Sequence, residues 1–181
     1  MVTVRPATTA DAPAMGRLHV RAWQAAYRGH MPDAYLDGLS PTGRAAYWDE
    51  ALRREGRRGV VLVAERDREV VGFAATGPSP DPEGAGELYS INVDPGAWGT
   101  GAGRALLQAA QAELARLGFD EAVLWVLPAN ARARRFYEAA GWVADGTERS
   151  AEVLGVAVPE MRYRRRSTSE EISSATPVGT E

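Results

Sequence analysis

The segment that most limits how this chain can fold runs from Leu88 to Arg104. Leu88-Tyr89-Ser90-Ile91-Asn92-Val93 reads as a strand, Asp94-Pro95-Gly96 closes it, and Gly99, Gly101 and Gly103 then stand on alternate positions before Arg104 opens a long helical pattern. Glycine there lets backbone approach a ligand closely. The first amides of the following helix have no partner inside it and sit at the positive end of its dipole, so a pyrophosphate would be well held, and Arg104 adds a full charge nearby. A glycine loop by itself serves turns and caps as readily as ligands. Two nucleotide motifs are excluded directly. A dinucleotide fingerprint needs a glycine or alanine three positions after its second glycine, where Arg104 or Leu106 stands, and a P-loop needs Gly-Lys-Ser/Thr, where the chain has Gly103-Arg104-Ala105.

The rest of the chain punctuates into alternating elements. Val2 to Arg5 predicts a short first strand stopped by Pro6. Thr8-x-x-Asp11 resembles a capping box before a helix carrying Met15, Leu18, Ala22, Ala25 and Ala26 as far as Gly29. Ser40-Pro41 starts a second helix, with Ala45, Trp48 and Leu52 on one side, ending near Glu55. Val60 to Glu65 and Val70 to Ala75 predict a hairpin about Arg66-Asp67-Arg68, and Gly77 to Gly86 a loop. After the glycine segment come a helix with Leu106, Leu107, Ala110, Leu114 and Leu117, a strand from Ala122 to Leu127, and a helix from Asn130 to a cap at Gly141. Two last strands are expected near Trp142 to Arg149 and Val156 to Arg164. One domain over residues 1–166 and a disordered tail over 167–181 follow, since the tail carries almost no large apolar residue.

Composition removes several function classes. The 181 residues fit one domain, and 45% hydrophobic with 25% charged residues is ordinary for a globular chain. The longest apolar run, Val60 to Ala64, falls far short of the roughly 20 residues that span a bilayer, and no export signal is visible, so no membrane partner is expected and the cytoplasm is the default. No cysteine exists to form a disulfide, a thiolate metal site or a covalent acyl carrier. A net charge of -3 argues against nucleic acid as a partner. All 21 basic residues are arginine, and the run Arg162, Arg164, Arg165, Arg166 reads as a solvated face. His19 and His30 lack companions at ligand spacing, so no metal is expected.

Gly99-Thr100-Gly101-Ala102-Gly103-Arg104-Ala105-Leu106-Leu107 after Val93-Asp94-Pro95 resembles the acetyl-CoA pyrophosphate motif of the GNAT acyltransferases. That motif is written Gln or Arg, two residues, Gly, one residue, then Gly or Ala; Gly101 and Gly103 match, while Trp98 occupies the Gln/Arg slot. Asn130-Ala131-Arg132-Ala133-Arg134-Arg135-Phe136-Tyr137-Glu138-Ala139-Ala140-Gly141-Trp142 resembles the family's second segment, a helix from Asn to Tyr ending in a glycine and an aromatic residue. The resemblance spans residues 2 to 164. It implies the GNAT fold, an α/β (α+β) architecture with a mixed sheet of six or seven strands flanked by about four helices.

It also implies N-acetyl transfer from acetyl-CoA to a primary amine of a small molecule or peptide. The binding residues it implies are Ile91, Asn92 and Val93 for the pantetheine arm, Gly99, Thr100, Gly101, Ala102, Gly103 and Arg104 for the pyrophosphate, and Asn130 and Tyr137. Tyr137 stands where the family often carries a tyrosine near the CoA sulfur, and a phenol of pKa about 10 can protonate a thiolate whose conjugate acid lies near about 8.5. Glu87 precedes the strand that leads to the site, where a carboxylate can deprotonate the amine; Tyr89 and Asp94 are the alternatives. Trp23, Tyr27 and Tyr35 are candidates for the acceptor wall, and similar enzymes often form homodimers. A non-catalytic acetyl-CoA sensor or partner-binding module stays open beside the enzyme.

Overall fold

The computed structural model describes residues 1–56, 58–153, 155–168, 171 and 173. Its centre is a seven-stranded sheet, β1 (Val2–Pro6), β2 (Val60–Arg66), β3 (Glu69–Pro78), β4 (Gly86–Val93), β5 (Glu121–Val126), β6 (Val143–Val153) and β7 (Val156–Arg166), in the spatial order β1-β2-β3-β4-β5-β7-β6. Every neighbouring pair is antiparallel except β4 and β5. Five α-helices are named among the described residues: α1 (Ala12–Tyr27), α2 (Asp33–Asp37), α3 (Pro41–Arg53), α4 (Ala102–Arg116) and α5 (Ala131–Glu138).

The sheet separates two cores. On one face Leu106, Leu107, Ala110 and Leu114 of α4 bury against Leu62, Ala74, Leu88 and Leu124, and Tyr137 of α5 and Trp142 join them. On the other, Met15, Leu18 and Ala22 of α1 and Trp48 of α3 pack on Val61, Val63, Phe73 and Ala75. Period-two alternation along β2 and β3 sends successive side chains to the two cores, which is why these strands are apolar nearly throughout. The β2–β3 hairpin turns on Asp67 (φ 54°) and Arg68 (φ 66°), the left-handed pair whose twist matches the flanking strands.

Local signals act where expected. Thr8 and Asp11 form the capping box, with Thr8 N–H donating to Asp11 Oδ2 at 2.7 Å, and a 3-10 turn at Thr9–Asp11 precedes α1. Arg5 bridges Asp11 (2.8 Å) and Glu65 (2.6 Å), tying the start of α1 to β1 and β2; its guanidinium holds the Asp11 carboxyl down at about 2. Ser40 Oγ accepts from Gly43 N–H at 3.0 Å and caps α3.

Some expectations need correcting. The loop placed at Gly77 to Gly86 is shorter, because β3 runs on to Pro78 and β4 starts at Gly86, paired Gly77↔Glu87 and Pro78↔Gly86. Gly77 is there because the Tyr89 ring covers it: a Cβ would meet the hydroxyl oxygen at 2.7 Å. The last two strands extend to Val153 and Arg166, and α2 was not foreseen. The arginine run is solvated only in part: Arg166 is exposed, but the other three are engaged. Arg162 is buried, donating to Asp145 at 2.7 Å, Arg164 pairs with Glu121 and Asp145, and Arg165 pairs with Glu171. The expected tail falls mostly outside the described residues; at its start Ser167 N–H donates to the Asp120 carbonyl at 2.9 Å. Among the described residues no helix is long and apolar enough to cross a membrane.

Candidate active site

The site begins where the sheet opens. β4 and β5 pair only at Gly86↔Ala122, Glu87↔Val123 and Leu88↔Leu124, while β4 stays bonded to β3 as far as Val93. Asp94 N–H donates to the Val71 carbonyl at 2.9 Å. By the alternation of an antiparallel ladder, residues 90, 92 and 94 therefore turn their main chain toward β3, and Ile91 and Val93 turn theirs to the opened edge. The Val93 carbonyl there accepts from the Trp98 indole N–H at 3.0 Å. The opening is a cleft of about 830 Å³ walled by α1, β4, the glycine loop, β5 and α5, within the size range of small-molecule and cofactor sites.

At one end lies the glycine loop. Asp94 ion-pairs with Arg21, and its Oδ1 accepts from Gly96 N–H at 2.9 Å to start a 3-10 turn at Pro95–Ala97. Gly99 (φ 78°) and Gly101 (φ 91°) adopt left-handed conformations, and Gly101 caps α4. A Cβ at Gly101 would meet nothing within 4 Å, so the backbone angle, and not space, demands glycine there. The first bond into α4 is Ala105 N–H to the Gly101 carbonyl at 2.9 Å. The amides of Ala102, Gly103 and Arg104 thus lie outside the helix's own ladder, at its positive end. Thr100 turns both its hydroxyl (2.7 Å) and its main-chain N–H (3.4 Å) to the Ala97 carbonyl.

Ile91, Asn92, Val93, Gly99, Thr100, Gly101, Gly103, Arg104, Asn130 and Tyr137 all line this one cleft. Ala102 and Glu87 do not: the Ala102 side chain is buried in the core, and Glu87 sits behind the wall, buried. Asn130 Oδ1 caps α5 by accepting from Ala133 N–H at 3.0 Å. Tyr137 is 8% exposed, and burial, aided by Tyr27, pushes its phenol well above the ordinary value.

The far end is aromatic and charged. Trp23 and Tyr27 of α1 face Tyr89 of β4 and Trp125 of β5, with Arg149 and Glu160 from the last two strands. Tyr35 is not among the lining residues. Arg149 lies 3.8 Å over the Trp125 ring and donates to Glu160 Oε2 at 2.8 Å. Glu87 accepts from Ser79 Oγ at 2.9 Å. Burial raises its pKa above the ordinary value, opposed by the Ser79 bond and Arg149 and assisted by Glu160 and Asp81. Of the alternative bases, Tyr89 donates its hydroxyl to the Pro78 carbonyl and Asp94 is tied to Arg21 and Gly96. Arg149 and Glu160 were missed in the sequence.

A cleft with amides free of the helix ladder at one end, an open strand edge along it and an aromatic, charged pocket at the other fits an acyl-CoA-dependent transferase. The acetyltransferase (GNAT) family model matches residues 20–142. An uncharacterized N-acetyltransferase of Bacillus subtilis, YuaI, is 33% identical over 72% of this chain and 74% of its own length. A mycothiol acetyltransferase of Thermobispora bispora is 43% identical over 46% of this chain, which spans 31% of that longer protein. Among solved structures, a putative acetyltransferase from Salmonella typhimurium, YncA, with its cofactor acetyl-CoA superposes with a TM-score of 0.69 at 25% identity, covering 93% of this chain and 95% of its own. A ribosomal-protein-alanine N-acetyltransferase from Brucella melitensis gives 0.70 at 26% identity, over 91% and 99%. This chain belongs to the GNAT family: it is an acyltransferase whose cosubstrate is acetyl-CoA. The family match decides for the enzyme over the sensor.

Proposed function

We propose that the enzyme acetylates a primary amine of a small molecule or peptide by direct attack, with Glu87 as general base and Tyr137 as general acid. The observation that carries this is the cleft itself, which brings Tyr137, the opened edge at Ile91 and Val93 and the amide cradle to one surface. Acetyl-CoA supplies the activated acyl thioester. The amides of residues 102–104, together with Arg104, neutralise its pyrophosphate, and the edge of β4 takes the pantetheine arm as an added strand. A main-chain N–H at Ile91 or Val93 polarises the acyl carbonyl. Glu87 takes the amine proton through water, since its carboxylate lies behind the cleft wall. Tyr137 gives its proton to the departing sulfur, so the amine proton lost at one end is matched by the thiol proton gained at the other.

A second reading makes Glu160 the base, because its carboxylate lines the cleft directly. The two separate by pH. A base works deprotonated, so the rate rises with pH through its pKa, and burial has lifted that of Glu87 above the ordinary carboxylate value. Glu87→Gln is expected to lower the rate roughly 100- to 10,000-fold and to remove that ionisation from the acid limb, leaving the amine's own titration. If Glu160→Gln removes the limb and Glu87→Gln does not, the base is Glu160.

The reading as a whole is tested by calorimetry with acetyl-CoA and desulfo-CoA, then by acetyl-CoA-dependent thiol release on an amine library. Binding with turnover is expected. Failure to bind either CoA species would sink it.

A further inference from the structure

Arg132 enters the main cleft from α5 and lies across it on the glycine loop. Its guanidinium carbon stands 3.4 Å from the centroid of the Trp98 ring. Among the described residues no carboxylate pairs with it, and burial alone lowers its pKa from the ordinary arginine value. Trp98 is not free to follow or leave. Its indole N–H is engaged by the Val93 carbonyl at 3.0 Å, so the ring is a fixed platform bolted to the end of β4. The stacked pair lines both the main cleft and a smaller hollow of about 310 Å³ shared with His30 and Asn130.

A guanidinium held by a ring face keeps its N–H groups, which lie in its own plane, for another partner. Stacking sets its orientation but does not neutralise it. Gly103 and Arg104, whose amides lie outside the α4 ladder, line the same cleft, and the Arg104 side chain adds a full charge there. An unpaired cation, pre-oriented on a rigid platform beside unpaired amides, is a site for an oxyanion. A carboxylate acceptor is a poorer fit for this end, because Tyr137 and the Trp125 pocket lie along the cleft from it, whereas phosphates belong at the amide cradle.

We propose that Arg132, held on Trp98, is a phosphate-binding residue for CoA, closing over the cosubstrate from the α5 wall. The proposal rests on the acetyl-CoA reading of the cleft. The phosphate is either the pyrophosphate or the ribose 3′-phosphate of CoA, and the two are separable by experiment.

Calorimetry with CoA and with 3′-dephospho-CoA, on the wild type, Arg132→Gln and the double variant Trp98→Arg/Arg132→Ala, tests it. Arg132→Gln is expected to weaken CoA binding roughly 10- to 100-fold, as loss of a charge-assisted contact does. Its CoA affinity should also fall less steeply with added salt than that of the wild type. The double variant is expected to recover most of the loss, because an arginine at position 98 carries its cation to the place the Arg132 guanidinium occupies above the loop. A loss equal on both ligands assigns the pyrophosphate, and a loss confined to CoA assigns the 3′-phosphate. Wild-type affinity and salt dependence in Arg132→Gln would overturn the proposal while leaving the acetyl-CoA reading intact. A wild type that binds neither ligand would remove both.

Discussion

Replacing Tyr137 with phenylalanine is expected to lower kcat by roughly 100- to 10,000-fold and to leave CoA affinity and thermal stability near those of the wild type. The substitution deletes one oxygen from a side chain that packs against Phe136, Trp142 and Tyr163, and the ring keeps all three contacts. Among the described residues the hydroxyl makes no hydrogen bond, so its removal strands no buried partner, and the usual cost of such a deletion does not arise. A chemical role and a packing role therefore separate cleanly. If the tyrosine is only core, Phe is silent in kcat. If it is the general acid, kcat falls while the melting temperature holds.

The pH profile adds an independent reading of the same group. A general acid works protonated, so activity is lost as pH rises through its pKa. Burial has pushed the Tyr137 phenol above its ordinary value of about 10, which keeps the acid limb loaded across the whole range in which the amine is becoming free. The wild type should accordingly show no alkaline decline below about pH 10. A decline in the neutral range that survives Tyr137→Phe would assign the acid elsewhere.

Tyr137 was legible in the sequence through the resemblance of Asn130–Trp142 to the family's second segment, the helix's own signals, an Asn cap at 130 and Gly141 beyond its end, marking only its bounds. The glycine loop was legible from its residues, since Gly99 and Gly101 hold left-handed angles that few other residues adopt. What the sequence could not supply was the neighbourhood of Glu87. Arg149 and Glu160 look like polar positions on ordinary strands, and only the insertion of β7 between β5 and β6 sets Arg162 opposite Trp125 and brings Glu160 and Arg149 to the cleft. Met161 and Tyr163 alternating with Glu160, Arg162 and Arg164 carried a period-two signal for two distinct faces, and the polar face was read as solvent because nothing local says what covers it. The short α2, one turn between Pro32 and Gly38, is set by the burial of Leu36 with Met31 and Val158, a contact distant in sequence. The extension of β3 through Gly77 and Pro78 has the same origin: residue types that read as loop are held in the sheet by pairing with β4 and by the ring of Tyr89.

The wall proposed for the acceptor depends on one glycine that the helical pattern gave no reason to single out. Gly16 lies in α1 where α3 crosses it, and a Cβ there would stand 2.4 Å from the Pro41 carbonyl oxygen, 2.6 Å from Ala45 N and 2.8 Å from Ala45 Cβ. Two of those atoms are backbone, so no rotamer change relieves the overlap and the helices must part. Gly16→Val is expected to cost about 3 kcal/mol, at the upper end of overpacking effects. For a chain of this length that is a fall in melting temperature of roughly 6–12 °C. The displacement also has a direction. α1 carries Trp23 and Tyr27 into the end of the cleft proposed for the acceptor, while the amide cradle belongs to α4 on the other face of the sheet. Moving α1 should therefore raise KM for the amine several-fold and weaken CoA binding less, since α1 meets the glycine loop through the Arg21–Asp94 ion pair, measured on folded protein well below the transition. Ala45→Gly in the same chain removes only the Cβ clash, so it should restore part of the stability and not all of it. An unshifted melting temperature in Gly16→Val would mean that α1 and α3 do not pack as closely as these distances state, and the acceptor wall would have to be drawn from β4 and β5 alone.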